Sequence, residues 1–407
     1  MLNYIFRFIP RRVRSLCIVV YALLPIFANG TTVRMQTSLG DIDIELFDTA
    51  APQTVNNFLH YVASGAYRNT FIHRSVPGFI VQGGGFSWNS TTNQYGGVAQ
   101  NPPVANEFSA SRSNVRGTIA MAKLGSDPNS ATSQWFFNLS NNAANLDAQN
   151  GGFTVFGKVI GNGMQVVDAI AALARVNAGS PFDNLPVAAP ITSGVRKENL
   201  VTIDSVVTLA DLKAGWNLMG NGTLSSLNVA NYFGDADKVI TVWKWSPSPG
   251  KWAFFAPGIA EPALRDYVSS KGYEMLSSIG AGEGFWVNAK QAANFMLPNA
   301  NAVTSDSFKS SLPLGWSLIA IGDNKSAAGF NAALSDSATP PTSPAAIPLN
   351  LTSLWAWDAA GGVWLFYAPK LEREGALASY IASKAYLDFT ATGKNLSPGI
   401  GFWVNRP

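Results

Sequence analysis

One cysteine and two histidines are all that this 407-residue chain has of the side chains most used in thiolate, metal and general-base chemistry. The cysteine, Cys17, lies in an N-terminal stretch that we expect to be removed. What remains has no thiol for disulfides, thiolate catalysis or a cysteine-based zinc site. Charge is also scarce, at 13% of residues against 47% hydrophobic, a balance that excludes an extended disordered chain. The formal net charge of +3 comes from the same N-terminal stretch. Setting aside Arg7, Arg11, Arg12 and Arg14 leaves 24 basic against 25 acidic residues, a net −1. The basic balance therefore gives no support to nucleic-acid binding.

Residues 1–28 read as a secretory signal: an arginine-rich start, the apolar LCIVVYALLPIFA, then the small residues Ala28 and Gly30. The apolar run is short for a bilayer span and contains Pro25, so stable membrane insertion after cleavage is not expected. An uncleaved N-terminal anchor is the alternative. Cys17 lacks the small neighbours of a lipoprotein signal. An exported chain without cysteine suits a periplasm or the cell exterior.

Between Thr32 and about Leu209 the texture is mixed. Ile42, Ile44 and Leu46 alternate with acids, the period of a half-buried strand. Val55, Phe58, Leu59 and Val62 follow at helical spacing, with Pro52 near the start and Gly65 at the end. FTVFGKVI reads as a strand, GMQVVDAIAAL as a helix with Met164, Val167, Ile170 and Leu173 on one face, and NLVTIDSVVTL as a strand. Many strands and two separated helices predict a closed or nearly closed β-structure plugged by helices.

After Leu209 the chain repeats itself. LKAGWNLMGNG is answered by LPLGWSLIAIG, VWKWSPSPGKWAFFAP by LWAWDAAGGVWLFYAP, and GAGEGFWVN by SPGIGFWVN. Ten of the twelve tryptophans fall into five matched pairs: Trp216/Trp316, Trp243/Trp355, Trp245/Trp357, Trp252/Trp364 and Trp286/Trp403. The register drifts from 100 to 117 residues, so the second copy carries insertions, one being the loop-like ATPPTSPAAIP at 338–348. Two small β-rich repeats are expected, over 210–300 and 308–407. Paired tryptophans predict the core of each repeat. The competing reading is an adhesive surface whose aromatic platforms bind glycan or peptide.

Residues 71–86, FIHRSVPGFIVQGGGF, set one cation and one amide in an apolar, glycine-rich run. Period-2 alternation on both sides of a Ser-Val-Pro-Gly connection places Arg74, Ile80 and Gln82 on one surface of two neighbouring strands. Neither histidine is a fitting general base: His60 lies on the amphipathic helix and His73 points away from Arg74. With no nucleophile between them, triad hydrolysis is excluded.

Together with RGTIAMAK, SATSQWFFNLS, LDAQNGGFTVFGKV and GMQVVDAI in that order, this motif resembles the cyclophilins, peptidyl-prolyl cis-trans isomerases, and most of all their bacterial exported branch. The resemblance covers about residues 32–208. It implies a mainly β fold with α, an eight-stranded antiparallel β-barrel capped by two helices, ahead of the two β-rich repeats. It also implies proline-containing polypeptides as clients, and neither a metal nor another cofactor. On that resemblance Arg74 is the catalytic arginine and Gln82 its polar neighbour. Phe79, Ile80, Phe136 and Leu146 hold the substrate proline, and Phe153 can wall the same pocket. Gln134 lies along the substrate backbone and Ala122 at the groove floor. Lys123 meets the substrate chain through its main chain. Two positions depart from the family pattern: Asn145 stands where the family has tryptophan or phenylalanine, and Phe153 where it has histidine or tyrosine. That tryptophan is the family's main handle for cyclosporin, so weak sensitivity to cyclosporin is expected here. A module that holds proline segments without turning them over is the alternative to an active isomerase. Asn-x-Ser/Thr triplets occur at Asn138 and Asn221.

Overall fold

A computed structural model describes residues 30–246, 250–335 and 343–407. The expected signal at 1–28, Cys17 with it, and part of the 338–348 insertion lie outside the described residues. The chain is mainly β, with several helices.

The first half contributes strands β1 (Thr32–Thr37), β2 (Gly40–Leu46), β3 (Thr70–Phe71), β4 (Arg74–Val76), β5 (Ile80–Gly83), β6 (Phe86–Asn89), β7 (Gln94–Gly97), β8 (Thr118–Met121), β9 (Trp135–Asn138) and β10 (Val155–Ile160). A short ribbon, β11 (Arg175–Val176) with β12 (Leu185–Pro186), precedes the long β13 (Thr202–Leu212). Hydrogen bonding runs in the order β4-β5-β9-β8-β10-β2-β1-β13-β3-β6-β7. Only Ile72 and His73 separate β3 from β4; their amides donate to Val201 O at 3.0 Å and to Gln82 O at 3.2 Å.

Helix α1 (Pro52–Ala63) begins on Pro52, and the Glu107 carboxylate accepts from the amides of Gln53 and Thr54 at 3.1 and 2.8 Å. An anion there satisfies orphan donors and complements the helix dipole. The helix buries Val55, Phe58, Leu59 and Val62, the face anticipated from spacing. A short helix α2 (Ala143–Leu146) precedes α3 (Gly163–Ala172), which buries Val167 and Ile170. These side chains join Met35, Ile42, Ile44, Ile119, Trp135 and Phe137 in one core. Asn138 and Asn221 are both fully buried, so neither triplet is open to a glycan.

Two five-stranded sheets follow. The first has the order β14 (Gly215–Gly220), β20 (Gly284–Ala289), β16 (Val239–Ser246), β17 (Lys251–Phe255), β18 (Glu274–Met275); between these, β15 (Leu227–Asn228) pairs with β19 (Ser278–Ile279). Strand β21 (Ala293–Met296) leaves this region and pairs antiparallel with β13, Leu209 opposite Met296 and Leu212 opposite Ala293. The second sheet runs β22 (Gly315–Ala320), β26 (Gly401–Arg406), β23 (Ser353–Asp358), β24 (Val363–Tyr367), β25 (Leu387–Asp388). In both sheets only the last pair is parallel.

The tryptophans do not fill the cores of these sheets, as their pairing predicted. Those cores are built from Leu, Ile, Val and Phe: Phe233, Val242, Phe285 and Val287 in one, Phe330, Leu354, Phe402 and Val404 in the other. Most of the tryptophans meet instead along a seam between the sheets. Trp252 reaches Trp403 at 6.4 Å between ring centroids, and its counterpart Trp364 reaches Trp286 at 5.8 Å, both edge to face. The Trp357 indole donates to Trp216 O across the seam at 2.8 Å. The exceptions are Trp243, which packs on Phe254 and Tyr273, and Trp355, which touches the seam and also packs on Phe366 and Tyr386.

Glycines let the backbones close below the rings. A Cβ on Gly401 would lie 2.0 Å from Met219 O, and one on Gly222 2.2 Å from Ile321 O. Paired bridges, Met219 to Ile400 and Ile319 to Glu283, stitch the seam in matching positions. The amides of Gly220 and Ala320 donate to Gly399 O and Gly282 O at 3.0 and 2.9 Å. The two sheets are thus related by an approximate two-fold, an isologous contact within one chain.

A buried polar knot joins the second sheet to the first half. Asp48 Oδ2 accepts from Thr31 N, Thr31 Oγ1 and Ser397 Oγ at 2.7, 2.9 and 3.1 Å. Asn324 donates its side-chain amide to Asp48 O at 3.0 Å and exchanges two bonds with Asn56, at 2.8 and 3.1 Å.

Burial lifts the Asp48 carboxyl from 3.8 to about 6, against the hydrogen bonds that lower it and with a small upward push from Glu45. The folded protein therefore holds that proton more tightly than the unfolded chain. The resulting stability is complete below pH 3.8 and is lost as pH rises through 6. Between pH 7.5 and 5.5 this group should add on the order of 1 kcal/mol. Thermal melts are expected to show that gain in the wild type and to lose it in Asp48→Asn. A Gly401→Ala substitution should cost about 1–3 kcal/mol by forcing the seam backbones apart. Tryptophan fluorescence should report an earlier melt of the seam, with the first half unaffected.

Candidate active site

The stretch from Arg74 to Gln82 folds back through a four-residue turn. Pro77 and Gly78 occupy its centre, Gly78 takes φ +71°, and Phe79 N donates to Val76 O at 3.0 Å. Proline followed by a residue of positive φ is what such a turn asks for. The turn sets the register of β4 and β5, Arg74 opposite Gln82 and Val76 opposite Ile80. Arg74, Gln82 and Ile80 consequently share one face.

Three glycines follow, and close approach explains them. A Cβ on Gly83 would meet the Trp135 ring at 2.7 Å, one on Gly84 the carbonyl of Ser133 at 2.6 Å, and one on Gly85 the Gln134 side chain at 2.8 Å. Gly84 also takes φ +79°. The backbone of 83–85 can thus lie directly on residues 133–135, which brings Gln134 to the same face. Gln82 then bridges its neighbours: the Arg74 guanidinium donates to Gln82 Oε1 at 3.2 Å, and Gln82 Nε2 donates to Gln134 Oε1 at 2.9 Å. This chain fixes the guanidinium as a multi-donor cation at the edge of an apolar surface.

That surface is a separate small cluster of Ile80, Ala120, Phe136, Leu146 and Val155, with Phe47, Phe79, Ala122 and Phe153 partly buried against it. Phe136 and Phe153 meet edge to face at 5.8 Å. The carbonyl of Phe79 is held by Asn142 Nδ2 and by Leu139 N, both at 2.9 Å. Ala122 N donates to Gln134 O at 2.9 Å, which sets the groove floor beside the glutamine. Ten sequence candidates are thereby brought into one neighbourhood: Arg74, Gln82 and Gln134 as the polar chain, Phe79, Ile80, Ala122, Phe136, Leu146 and Phe153 as the apolar cluster, and Lys123 over the Phe153 ring at 4.9 Å. Sequence reasoning missed Phe47, Ala120 and Val155. Val155 and Ala120 were readable in principle, since each lies two residues from a sequence candidate, Phe153 and Ala122.

Asn145 is exposed and bonds to Gln149, so it adds no ring to the rim. His73 is buried and stacks edge-on against Phe86 at 5.1 Å. Burial above all, then the charge of Arg74, lowers its pKa to about 4. It is neutral at physiological pH and turned into the fold; His60 is exposed on α1. Among the described residues no group of three or more His, Cys, Asp or Glu is arranged to hold a metal.

Comparison with known proteins identifies the family. The family model described as cyclophilin type peptidyl-prolyl cis-trans isomerase/CLD matches residues 32–190. Peptidyl-prolyl cis-trans isomerase A of Dickeya dadantii is 45% identical over 168 residues, 40% of this chain and 84% of that protein. A peptidyl-prolyl cis-trans isomerase of Acinetobacter baylyi is 46% identical over 143 residues, 35% of this chain and 72% of that one. A solved cyclophilin-type isomerase of Cryptosporidium parvum, determined with the dipeptide Ala-Pro, aligns over 44% of this chain and 98% of its own at 26% identity, with a TM-score of 0.33. The chain belongs to the cyclophilin-type peptidyl-prolyl cis-trans isomerases, with a further β-rich region beyond the part these relatives share.

Proposed function

We propose that this isomerase turns X–Pro bonds in exported client proteins, with Arg74 as the group that stabilises the twisted amide. The arrangement that carries the reading is the Arg74–Gln82–Gln134 chain standing beside the apolar cluster of Phe79, Ile80, Phe136, Leu146 and Phe153.

Uncatalysed X–Pro rotation crosses a barrier of about 20 kcal/mol and takes tens to hundreds of seconds. Raising it to about a thousand turnovers per second requires removal of only about 7 kcal/mol, at 1.36 per decade. No covalent bond breaks and no proton moves. When the amide twists, resonance is lost and the prolyl nitrogen becomes pyramidal and gains a lone pair. A guanidinium aimed at that nitrogen donates a hydrogen bond that the planar amide cannot accept, which is binding specific to the transition state. Gln82 holds the guanidinium on one side, so little reorganisation is left for the reaction itself. The twisted amide is also less dipolar than the planar one, and an apolar groove disfavours it less than water does. Phe79, Phe136, Leu146 and Phe153 would grip the ring while the carbonyl side swings, with Gln134, Ala122 and the Lys123 main chain along the substrate backbone.

We read the hydrogen bonding that leaves β4 and returns through β3 as an eight-stranded barrel, joined through Ile72 and His73. The isomerase domain would span 32–208, and the tryptophan-rich sheets would orient or tether it. Export to the periplasm or cell surface rests on the arginine-rich, apolar start of the sequence and on the lack of cysteine after Cys17.

Arg74→Ala should lower isomerisation of an X–Pro tetrapeptide by about 10²–10³-fold, the usual loss for one transition-state donor, while far-ultraviolet dichroism stays as in the wild type. Near-normal turnover would remove Arg74 from the mechanism. Cyclosporin should inhibit weakly, because Asn145 offers neither an aromatic wall nor an indole donor. Nanomolar inhibition in the same assay would contradict that.

A further inference from the structure

Lys123 follows β8 by two residues, and its side chain reaches away from the groove floor into the turn before Phe153. The ammonium lies 2.7 Å from Asn150 O, 2.6 Å from Gly152 O and 3.5 Å from Pro128 O. It also stands 4.9 Å from the centroid of the Phe153 ring. Asn150, Gly151 and Gly152 of that turn are consecutively left-handed, with φ of 50°, 72° and 75°, a conformation open to glycine and, among other residues, most readily to asparagine.

Each carbonyl of that turn has a donor. Lys123 serves Asn150 and Gly152, while Asn106 Nδ2 serves Gly151 O at 2.7 Å. The Asn150 side chain returns a bond to Leu124 O at 2.7 Å, which ties the turn again to the strand exit that carries Lys123. A Cβ on Gly152 would lie 2.3 Å from the Phe108 ring, so the turn cannot shift freely toward that side. Immediately after it, Phe153 N donates to Leu146 O at 3.0 Å and Phe153 O accepts from Asn114 Nδ2 at 3.0 Å. The turn thus sets where the Phe153 ring meets Phe136.

We propose that Lys123 is a positioning residue for the isomerase: its ammonium clamps the Asn150–Gly152 turn and thereby fixes Phe153 as a wall of the proline pocket, at a rim where Asn145 supplies no ring. This rests on reading Phe153 as part of that pocket. The clamp acts on substrate affinity, because the ring that it holds grips the proline and takes no part in the hydrogen bond to nitrogen. Burial lowers the Lys123 pKa from the ordinary lysine value, against an opposing pull from Asp127. An amine without its charge holds two carbonyls less well than an ammonium does, so the clamp weakens at alkaline pH.

The test is Lys123→Met, which keeps the length and removes the donors, with Lys123→Arg as the conservative variant. Exchange NMR on an X–Pro tetrapeptide without ionisable groups separates KM from kcat. For the methionine variant KM should rise roughly five- to tenfold, in line with losing a charge-assisted hydrogen bond at a half-exposed site, while kcat changes less than about twofold. The arginine variant should recover most of the affinity. In the wild type KM should rise as pH climbs through the alkaline range, and in Lys123→Met it should not. Amide hydrogen exchange at Gly152 and Phe153 reads the clamp without substrate and should accelerate in Lys123→Met. Unchanged exchange and unchanged KM would overturn the clamp. Faster exchange with unchanged KM would leave the clamp in place and remove Phe153 from the pocket. Should the methionine variant fail to fold, a wild-type KM that stays flat to pH 10.5 overturns the proposal by itself.

Discussion

Strand β13 is the constraint on which the remainder of the architecture depends. Its eleven residues pair with β1 along most of their length, with β3 at Thr202 and Ile203, and with β21 from Leu209 to Leu212. One rod of backbone therefore finishes the sheet that carries the active face and receives the strand that anchors the first tryptophan-rich sheet. Each end of the strand thus gains a partner beyond β1, which shortens the edge left open to mispairing. The Asp48 knot adds a second attachment from the other sheet, so the β-rich region is fixed to the first half at two separate points.

The active face obeys a similar economy. Its polar chain is only three side chains long, yet each link depends on backbone proximity. Glycines 83–85 let β5 lie against residues 133–135, and that contact brings Gln134 within reach of Gln82. A Cβ on Gly85 would run into Gln134 itself, and one on Gly83 or Gly84 into Trp135 or Ser133 O. The mechanism we propose asks for a cation held still in a dry surface, and glycines in the neighbouring backbone leave the room for that arrangement. His73, buried and neutral beside Arg74, adds no competing charge.

Much of this was legible in the sequence where the signal was local. The period of Ile42, Ile44 and Leu46, the Pro52 and Gly65 boundaries of α1, and the turn at Pro77–Gly78 each encode their own geometry, and the structure follows them. The residues proposed as pocket walls lie scattered from Phe79 to Phe153; no periodicity joins them, and only likeness to a family could. Three features were not legible, for physical reasons. The pairing of Ala293–Met296 with β13 is a long-range choice that four ordinary residues do not announce. The reach of Lys123 into a distant turn depends on tertiary closure. The paired tryptophans fit a core in each sheet and a shared seam equally well, because a two-fold contact imposes the same matching on both copies that a repeated core would.

That seam ties the fate of the first sheet to residues made much later. Trp286 waits for Trp364, and Met219 for Ile400 and Gly401, while Trp252 meets its partner only once Gly401–Arg406 has been synthesised. During translation the first sheet presents an aromatic face with no second half to cover it. A neighbouring chain whose second sheet is already made offers the same surface that the chain's own second sheet will offer. What separates correct closure from an exchange between chains is effective concentration: the covalent tether keeps the proper partner near at all times, whereas a neighbouring chain is near only when crowded. Dilution therefore favours the native seam, and crowded synthesis works against it.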